Sequence, residues 1–298
     1  MANSIGDSIT KVTSRLDKII EQESTTSFLN MNQDLLGEYR GNGVIEIPKL
    51  TMDGLGDYNR QTGFPAGSVS LEFDPYKMQF DRGREFEIDN IDDEERALIV
   101  SANLMAEFTR LHVIPEIDAI RYARLSELAG TKVEETLDTP EKAKKSIETA
   151  EECLQDHGKA LSECTLCLTS SVKTLLRNST NYVANFGQNP NTNIQTFDDM
   201  TLSVIAKDRF FTAIETLDGV SEGETDGGFK KAADGRAINY IAVHPAAAAA
   251  LQKYEKTRYF SPDENQSKDA HKFQYRLYHD LIVLLQQSGL IYVSYAAA

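Results

Sequence analysis

The sequence predicts an α+β fold, and three patterns along the chain support this prediction. Apolar residues alternate with polar ones in the first third, at Ile45 and Ile47 and again from Val69 to Phe73, which is typical of half-buried strands. A helical spacing of apolar residues follows, from about residue 92 to Gly130. The remaining half alternates short apolar runs with helix signals.

The composition excludes several classes of protein. The chain has 298 residues, with 31 Lys and Arg against 46 Asp and Glu, which gives a net charge of −15. This sign is unfavourable for binding nucleic-acid phosphates or an anionic membrane. The sequence has neither a secretory signal nor an apolar run of about 20 residues that could span a bilayer. Three cysteines in a chain of this length indicate reduced thiols made in a cytoplasm.

The first 42 residues are interpreted as an arm. Apolar residues, among them Ile9 and Leu16, recur every three to four positions up to Ile20, as on one face of an amphipathic helix. One such helix is too short to form a domain. We therefore expect it to lie against the body of the same chain or against a neighbouring subunit.

Residues 43–89 predict a long antiparallel hairpin. Its two alternating runs flank a segment, 52–67, that is rich in Gly, Asp, Asn and Pro and is expected to form an elaborate tip. A third alternating run, Tyr76, Met78 and Phe80, continues the pattern. Because an isolated hairpin is marginally stable in water, this one implies a partner surface for its apolar face.

The next elements are predicted from caps and breakers. Carboxylates at 92–95 favour the start of a long helix over 92–129, with a kink or a second helix at Pro115. A further helix starts at Thr139-Pro140 and ends at Gly158. Cys164–Thr169 is expected to be a strand, followed by a helix capped at Ser170 or Ser171.

The final third is predicted to contain more short elements. Strands are expected at 202–206, 213–217, 238–243 and 290–295, and a mobile loop at 219–235. A helix is expected to open at Pro245 and to run through five alanines to about Lys256.

The strongest candidate for a zinc or redox site is Cys164-Thr-Leu-Cys167, with Cys153 and His157 upstream, because thiolates and imidazoles bind zinc. The second half of a zinc knuckle is missing, however. If 164–169 is a strand, Cys164 and Cys167 point to opposite faces, so buried thiols are the preferred interpretation.

The other candidates favour structural roles. The carboxylates at 89–95 lack the Gly and Glu positions of a calcium loop, and helix capping explains them. Gly223–Gly228 lacks the order of a phosphate loop, and His279-Asp280 lacks a nucleophile in a known context. The sequence therefore predicts no catalytic residue, no cofactor and no metal.

Several longer motifs together carry a family resemblance. They are Ile45-Glu-Ile-Pro-Lys, Gly54-Leu-Gly-Asp-Tyr58, Gly67-Ser-Val-Ser-Leu71, Asp81-Arg-Gly-Arg-Glu-Phe86, Ile88-Asp-Asn-Ile-Asp92, Val113-Ile-Pro-Glu-Ile-Asp118, and the ending from Tyr275-Arg-Leu-Tyr-His-Asp280 to Gly289-Leu-Ile-Tyr292. Over about residues 43 to 298, the sequence resembles major capsid proteins of tailed phages that infect Gram-positive bacteria.

The resemblance implies the Hong Kong 97 type of capsid fold and a division of the chain. Residues 1–42 would be the N-arm, 43–89 the E-loop β-hairpin, and 90–138 the P-domain with its long spine helix. Residues 139–270 would form the α/β A-domain, with P-domain strands near 200–218, and 271–298 would return to the P-domain.

The resemblance also implies a function. The chain would self-assemble into hexamers and pentamers of an icosahedral head that encloses double-stranded DNA without sequence-specific binding. It would be assembled in the host cytoplasm, become part of the virion, and have a scaffolding protein and a portal as partners. Since only about 42 residues precede the hairpin, we expect a separate scaffold and no N-terminal cleavage.

Eight residues of the arm and the hairpin are the predicted intersubunit contacts. They are Ile9, Leu16, Ile47, Asp57, Tyr58, Arg60, Leu71 and Phe73. Two alternatives remain open. A soluble cytoplasmic α/β enzyme with a β-arm for oligomerisation predicts a concave polar pocket with perturbed ionisable groups. A tail-tube subunit predicts a fold dominated by strands, and the long helix argues against it.

Overall fold

The structure is a computed structural model that describes residues 23–30, 44–89, 99–179, 186–188 and 195–297. The amphipathic helix expected at the N-terminus, with Ile9 and Leu16, lies outside the described residues, and so does the carboxylate cap expected at 92–95.

The described elements alternate between strands and helices along most of the chain. The helices are α1 (Ile99–Phe108), α2 (Ile114–Leu128), α3 (Pro140–Asp156) and α4 (Ser170–Arg177). The strands of the first 200 residues are β1 (Val44–Met52), β2 (Val69–Lys77), β3 (Phe80–Asp89), β4 (Thr131–Glu134), β5 (Thr165–Thr169), β6 (Phe186–Gln188) and β7 (Gln195–Phe197). The later strands are β8 (Met200–Ile205), β9 (Ile214–Thr216), β10 (Phe229–Lys231), β11 (Ile238–Val243), β12 (Ala248–Phe260), β13 (Ala270–Val283) and β14 (Ile291–Tyr295).

A seven-stranded sheet in the order β4-β14-β11-β5-β8-β7-β6 organises the larger core. Its central strands are apolar on both faces, and alternate side chains enter different cores. On β11, Tyr240 and Ala242 pack with α3 and α4, whereas Ile241 and Val243 pack with α2. The sheet is therefore covered by helices on both faces.

A three-stranded antiparallel sheet, β12-β13-β3, supports the helix pair α1 and α2. On β13, Phe273, Tyr275 and Leu277 face these helices and form one core with Met105 and Ile117. The alternate residues of β13 point to the opposite face of the sheet.

The kink expected at Pro115 is found just before that residue. A π-helical segment, Thr109–Val113, joins α1 to α2, and the backbone N–H of Ile114 donates to the carbonyl of Thr109. Pro115 has no backbone N–H to donate. At the start of a helix no hydrogen bond is lost, but inside a continuous helix the proline would remove one backbone hydrogen bond. The π segment is the local solution to this interruption.

Two helices begin and end close to their predicted positions. The side chain of Thr139 accepts from the N–H of Lys142 at the start of α3, and Gly158 follows its end with a φ of +72°. The cap of α4 is Thr169, one residue before the predicted Ser170, because the Thr169 hydroxyl accepts from the N–H of Val172. Asn178 follows the last residue of α4 as its C-cap.

The helix predicted over the alanine run is wrong. Pro245–Ala247 forms one 3₁₀ turn, and Ala248 then begins the 13-residue strand β12, which pairs with β13 along its whole length. Alanine has the highest intrinsic helix propensity, but propensity is a weak preference that burial in a sheet overrides. Ala248, Ala249, Ala250 and Leu251 are all buried, and small side chains allow this close packing.

The predicted loop at 219–235 is also partly wrong, because it contains β10, which pairs with β9. β8 pairs with β5 and β7 rather than with β9. The partner β5 lies about 36 residues before β8, whereas β7 and β8 form a tight hairpin through Asp198 and Asp199, both at positive φ.

The strand pairing joins segments from different parts of the chain. β3 lies within the predicted E-loop but pairs with β13 in the three-stranded sheet. β8, at 200–205, belongs to the seven-stranded sheet rather than beside β13. The ending 271–298 is shared, because β13 joins the three-stranded sheet and β14 joins the seven-stranded one.

Candidate assembly surface

The hairpin β1–β2 exposes a continuous apolar face. In its antiparallel register, Met52 lies opposite Val69 and Leu50 lies opposite Leu71. Directly opposed residues share a face, and Phe73 follows two positions after Leu71. Between 49% and 70% of each of these five side chains is exposed. An exposed apolar surface of this extent on one side of a hairpin is typical of an interaction surface.

The other face of the same hairpin is polar along most of its length. Lys49 lies opposite Glu72 and Thr51 lies opposite Ser70. Towards the base of the hairpin this face turns apolar, where Ile45 is fully buried and packs with Met78 and Ile282. The predicted contact Ile47 packs beside this cluster and is half-buried in its own chain, so it lies on the face opposite Leu71 and Phe73.

The tip of the hairpin carries the remaining predicted contacts. Asp57, Tyr58 and Arg60 are all exposed. The ring of Tyr58 contacts that of Phe64, with centroids 4.8 Å apart, and 86% of Phe64 is exposed. Backbone bonds between Asn59 and Gly63 close the turn around this aromatic pair. The tip therefore presents a small ordered apolar knob.

A buried carboxylate, Asp280, fixes the base of the hairpin to the three-stranded sheet. Its Oδ2 accepts from the hydroxyl of Tyr76 at 3.0 Å and from the backbone N–H of Gln79 at 2.9 Å. The guanidinium of Arg124 on α2 lies 3.8 Å from Oδ1. Burial raises the pKa of Asp280, and it raises the pKa of Tyr76 as well. The hydrogen bonds and the apolar cluster together determine how the hairpin leaves the body.

We expect Tyr76→Phe to loosen this junction without unfolding the chain. The substitution removes one hydrogen bond to a buried carboxylate, which costs about 1–3 kcal/mol. Amide hydrogen exchange in β1 and β2 should become faster while exchange in β11 and β14 is unchanged. Tyr58→Phe is the matched control, because its exposed ring lies at the tip, and equal acceleration in both variants would contradict the role of Tyr76.

A second buried carboxylate, Asp118 on α2, holds the described arm segment 23–30. It accepts from the hydroxyls of Ser24, Thr25 and Thr26 at 2.7–2.8 Å and from the N–H of Thr25 at 3.1 Å. Arg209 lies 3.7 Å away. Leu29 of the same segment is fully buried in the core beside α2 and β11. This part of the arm therefore lies against its own chain.

A groove of about 340 Å³ separates β3 from the loop that joins β9 and β10. Its apolar floor includes Phe86 and Phe108, and Leu111 at its edge is 65% exposed. Arg84 spans it and donates to the carbonyl of Thr225 at 3.0 Å. Gly219 and Gly227, both at positive φ, pack against this guanidinium, and a Cβ at Gly219 would lie 2.7 Å from it.

The largest shifts of ionisable groups occur away from the groove. Burial lowers the pKa of His279 to about 3 and raises the pKa of Cys167 to about 12. Burial and two nearby carboxylates, Asp198 and Glu148, raise the pKa of Glu151 to about 8. None of these three residues lines the groove. Asp218 does line it, and hydrogen bonds from the hydroxyl and N–H of Ser221 and from the N–H of Val220 lower the pKa of this carboxyl to about 2.

The two cysteines of the Cys-x-x-Cys motif are separated by their strand, as predicted. Cys167 packs in the core on the α2 side of the seven-stranded sheet, and Cys164 packs in the core beside α3. Among the described residues, no group of three potential metal ligands is found. No helix in the described part of the chain is long and apolar enough to span a membrane.

Sequence reasoning found part of this surface. Leu71, Phe73 and the tip were identified from alternation and turn composition, whereas Leu50 and Met52 were missed because they lie in the opposite phase of the alternation to Ile45 and Ile47. Asp118 and Asp280 were also missed as anchors. A buried carboxylate and a surface one look alike in a sequence, so no local signal was available.

The fold of this chain is similar to that of several solved structures. No protein-family model matches the chain, and no curated protein matches its sequence. The capsid structure of cyanophage P-SCSP1u matches with a TM-score of 0.58 and 10% identity, over 88% of this chain and 85% of that one. The mature capsid of bacteriophage PhiM1 matches with a TM-score of 0.56 and 13% identity, over 88% and 87%.

The chain has the Hong Kong 97-like capsid fold. A virus-like particle from Pyrococcus furiosus also matches, with a TM-score of 0.53 and 11% identity, over 96% of this chain and 98% of that one. At these identities the likeness concerns the fold, and it covers nearly the full length on both sides. The fold resemblance inferred from the sequence motifs is confirmed.

Proposed function

We propose that this chain is the major capsid protein of a tailed phage with a Gram-positive host. Copies of the chain form hexamers and pentamers of an icosahedral head that encloses double-stranded DNA. The observation that carries the proposal is the exposed apolar face of the hairpin, defined by Leu50, Met52, Val69, Leu71 and Phe73, in a chain with a capsid fold. The role is structural and not enzymatic.

The geometry of the hairpin supports assembly with further copies. The nine paired residues on each strand extend for about 30 Å, and the hydrogen bonds to Asp280 hold only the base of the hairpin. The exposed face has no apolar partner among the described residues of its own chain. A contact between a hairpin and a different surface of the next copy is heterologous, and heterologous contacts build rings and shells.

In this proposal the two sheets correspond to the domains of the fold. The unit around the seven-stranded sheet acts as the A-domain, and α1, α2 and the three-stranded sheet act as the P-domain. The arm, the hairpin tip and the residues Ile9, Leu16, Asp57, Tyr58 and Arg60 are proposed contacts. Further partners are a scaffolding protein and a portal, and the net charge of −15 lets enclosed DNA move without strong binding. Assembly takes place in the host cytoplasm, and the product is part of the virion.

Replacing the apolar face of the hairpin by polar residues should abolish shells and leave the fold intact. The test variant is Leu50→Thr, Leu71→Thr and Phe73→Thr, because threonine keeps strand propensity while it removes the apolar contact. Negative-stain electron microscopy of the expressed protein, with and without a scaffold, measures shells, and circular dichroism measures the fold. Deletion of 51–66 should give the same result.

The matched control is Lys49→Thr with Glu72→Thr, an opposed pair on the polar face of the same strands. This variant should assemble as the unchanged chain does. Closed shells from the apolar-face variant would contradict the proposed contact. Failure of the unchanged chain to form shells under any condition would contradict the proposed function itself.

A further inference from the structure

The outer face of the three-stranded sheet carries charges that are separated by sign from strand to strand. The outer face is the one opposite α1 and α2, and its charged side chains come from alternate residues of the three strands. On β3, Asp81, Glu85, Glu87 and Asp89 are anionic, and the first three of them pair with Arg276 and Lys272 of β13. The edge strand β12, on the other side of β13 from β3, adds Lys256 and Arg258 to this face.

The two cations of β12 have no ion-pair partner within the described part of the chain. Lys256 and Arg258 are both exposed, and Lys256 lies directly opposite Arg276 in the register of β12 and β13. Like charges in directly opposed positions destabilise a strand pair. From β3 through β13 to β12, the charges on this face are therefore anionic, cationic and cationic, and none of the described residues forms an ion pair with these two cations of β12.

An exposed anionic surface lies elsewhere in the same chain. The loop 218–228, between β9 and β10, presents the exposed carboxylates of Asp218, Glu222 and Asp226. Asp218 is used within the loop, where it accepts from the N–H groups of Val220 and Ser221. Glu222 and Asp226 have no ion-pair partner among the described residues. The anionic loop and the cations of β12 carry opposite charges, so the two surfaces are electrostatically complementary.

The loop is held in a defined position, which favours it as a docking element. Arg84 donates to the carbonyl of Thr225, and Arg82 donates to the carbonyl of Gly228 at 3.1 Å. Arg82 also forms a two-point ion pair with Glu116 on α2. Because the loop is ordered before any contact forms, little conformational entropy is lost when it binds.

The two surfaces cannot meet within one chain. Arg82 and Arg84 hold the loop on the face of the sheet that carries α1 and α2, since both line the groove with Tyr275 and Leu277. Lys256 and Arg258 are on the opposite face of that sheet. A partner that joins them must therefore be a second copy, in a head-to-tail contact of the kind that builds closed assemblies.

We propose that the loop 218–228 of one copy binds Lys256 and Arg258 of a neighbouring copy, through Glu222 and Asp226. This inference rests on the proposed self-assembly and names a second contact that is separate from the apolar face of the hairpin. The contact neutralises the uncompensated cations of β12 and restricts which copies can lie side by side.

The test exchanges the charges. Lys256→Glu with Arg258→Glu, and Glu222→Lys with Asp226→Lys, should each raise the protein concentration needed for shells by at least about tenfold, since opposed like charges cost several kcal/mol. Combining all four substitutions should restore assembly. The control Lys145→Glu with Lys207→Glu changes the net charge equally at two other exposed lysines and should assemble normally.

The outcomes separate this contact from the proposed function. Normal assembly of both two-site variants would overturn the contact and leave the capsid proposal standing. Loss of assembly that the four-site variant does not restore would also overturn the pairing. If Lys256→Glu with Arg258→Glu formed normal shells that hold less DNA, the cations would bind nucleic acid instead. A chain without any self-association would overturn both proposals.

Discussion

Asp118→Ala should destabilise the chain by about 3–5 kcal/mol, the range observed when a buried ionic partner is removed. The substitution leaves four donors of the segment 23–30 without their acceptor. It also removes the carboxylate that faces the buried guanidinium of Arg121, whose pKa burial lowers to about 10 against the opposing effect of Asp118. Urea unfolding followed by circular dichroism measures the change.

The loss should be local before it is global. The segment 23–30 is joined to α2 mainly through Asp118 and through Leu29 in the core. Limited proteolysis of the Asp118→Ala variant should therefore cleave near Ser24 under conditions in which the unchanged chain is resistant. Asp138→Ala is the control, since that carboxylate is exposed and its partner is Lys142. A change below about 1 kcal/mol in the Asp118 variant would contradict its role as an anchor.

Acidification should destabilise the chain through His279, by about 1.4 kcal/mol for each pH unit between pH 6.5 and pH 3. Burial lowers the pKa of this imidazole to about 3, and the nearby guanidinium groups of Arg121 and Arg82 lower it further. The folded state therefore keeps His279 neutral while the unfolded state binds a proton below about pH 6.5. The stability is fully present above pH 6.5 and is lost as the pH falls towards 3, with a total of roughly 4–5 kcal/mol.

The measurement is the free energy of unfolding of the unassembled chain between pH 7.5 and pH 4. Replacing His279 by Gln should reduce the slope against pH by the contribution of one proton. His112→Gln is the control because it removes an imidazole that is exposed. An unchanged slope in the His279 variant would show that another group takes up the proton. The ring of Phe80 lies beside His279, with centroids 6.1 Å apart, and burial of the imidazole is the largest cause of the shift.

The local features of this fold follow directly from the sequence. Thr139 and Pro140 start α3 and Gly158 ends it, because capping and the φ of proline depend on neighbours in the chain alone. The alternation in Val69–Phe73 likewise predicts a strand with one apolar face. The break before Pro115 has the same kind of cause, a missing N–H.

What the sequence could not determine is which segments pair. The alanines from Ala246 to Ala250 favour a helix when they are considered alone, yet three of them lie in β12, because β13 supplies hydrogen bonds and the core beside α2 and β11 buries Ala248 and Ala250. β3 continues the alternating pattern of the hairpin but pairs with β13, about 190 residues later.

The sequence also could not determine which carboxylates are buried. Asp118, Asp138 and Asp280 are equivalent in a sequence, and only the tertiary structure buries two of them and surrounds those two with donors. The sequence by itself determined caps, turns, the exposed apolar strand face and the family resemblance, because these depend on short stretches of residues. Sheet order, buried anchors and the separation of the acidic loop from the cations of β12 depend on contacts across the whole chain, and only the tertiary structure decided them.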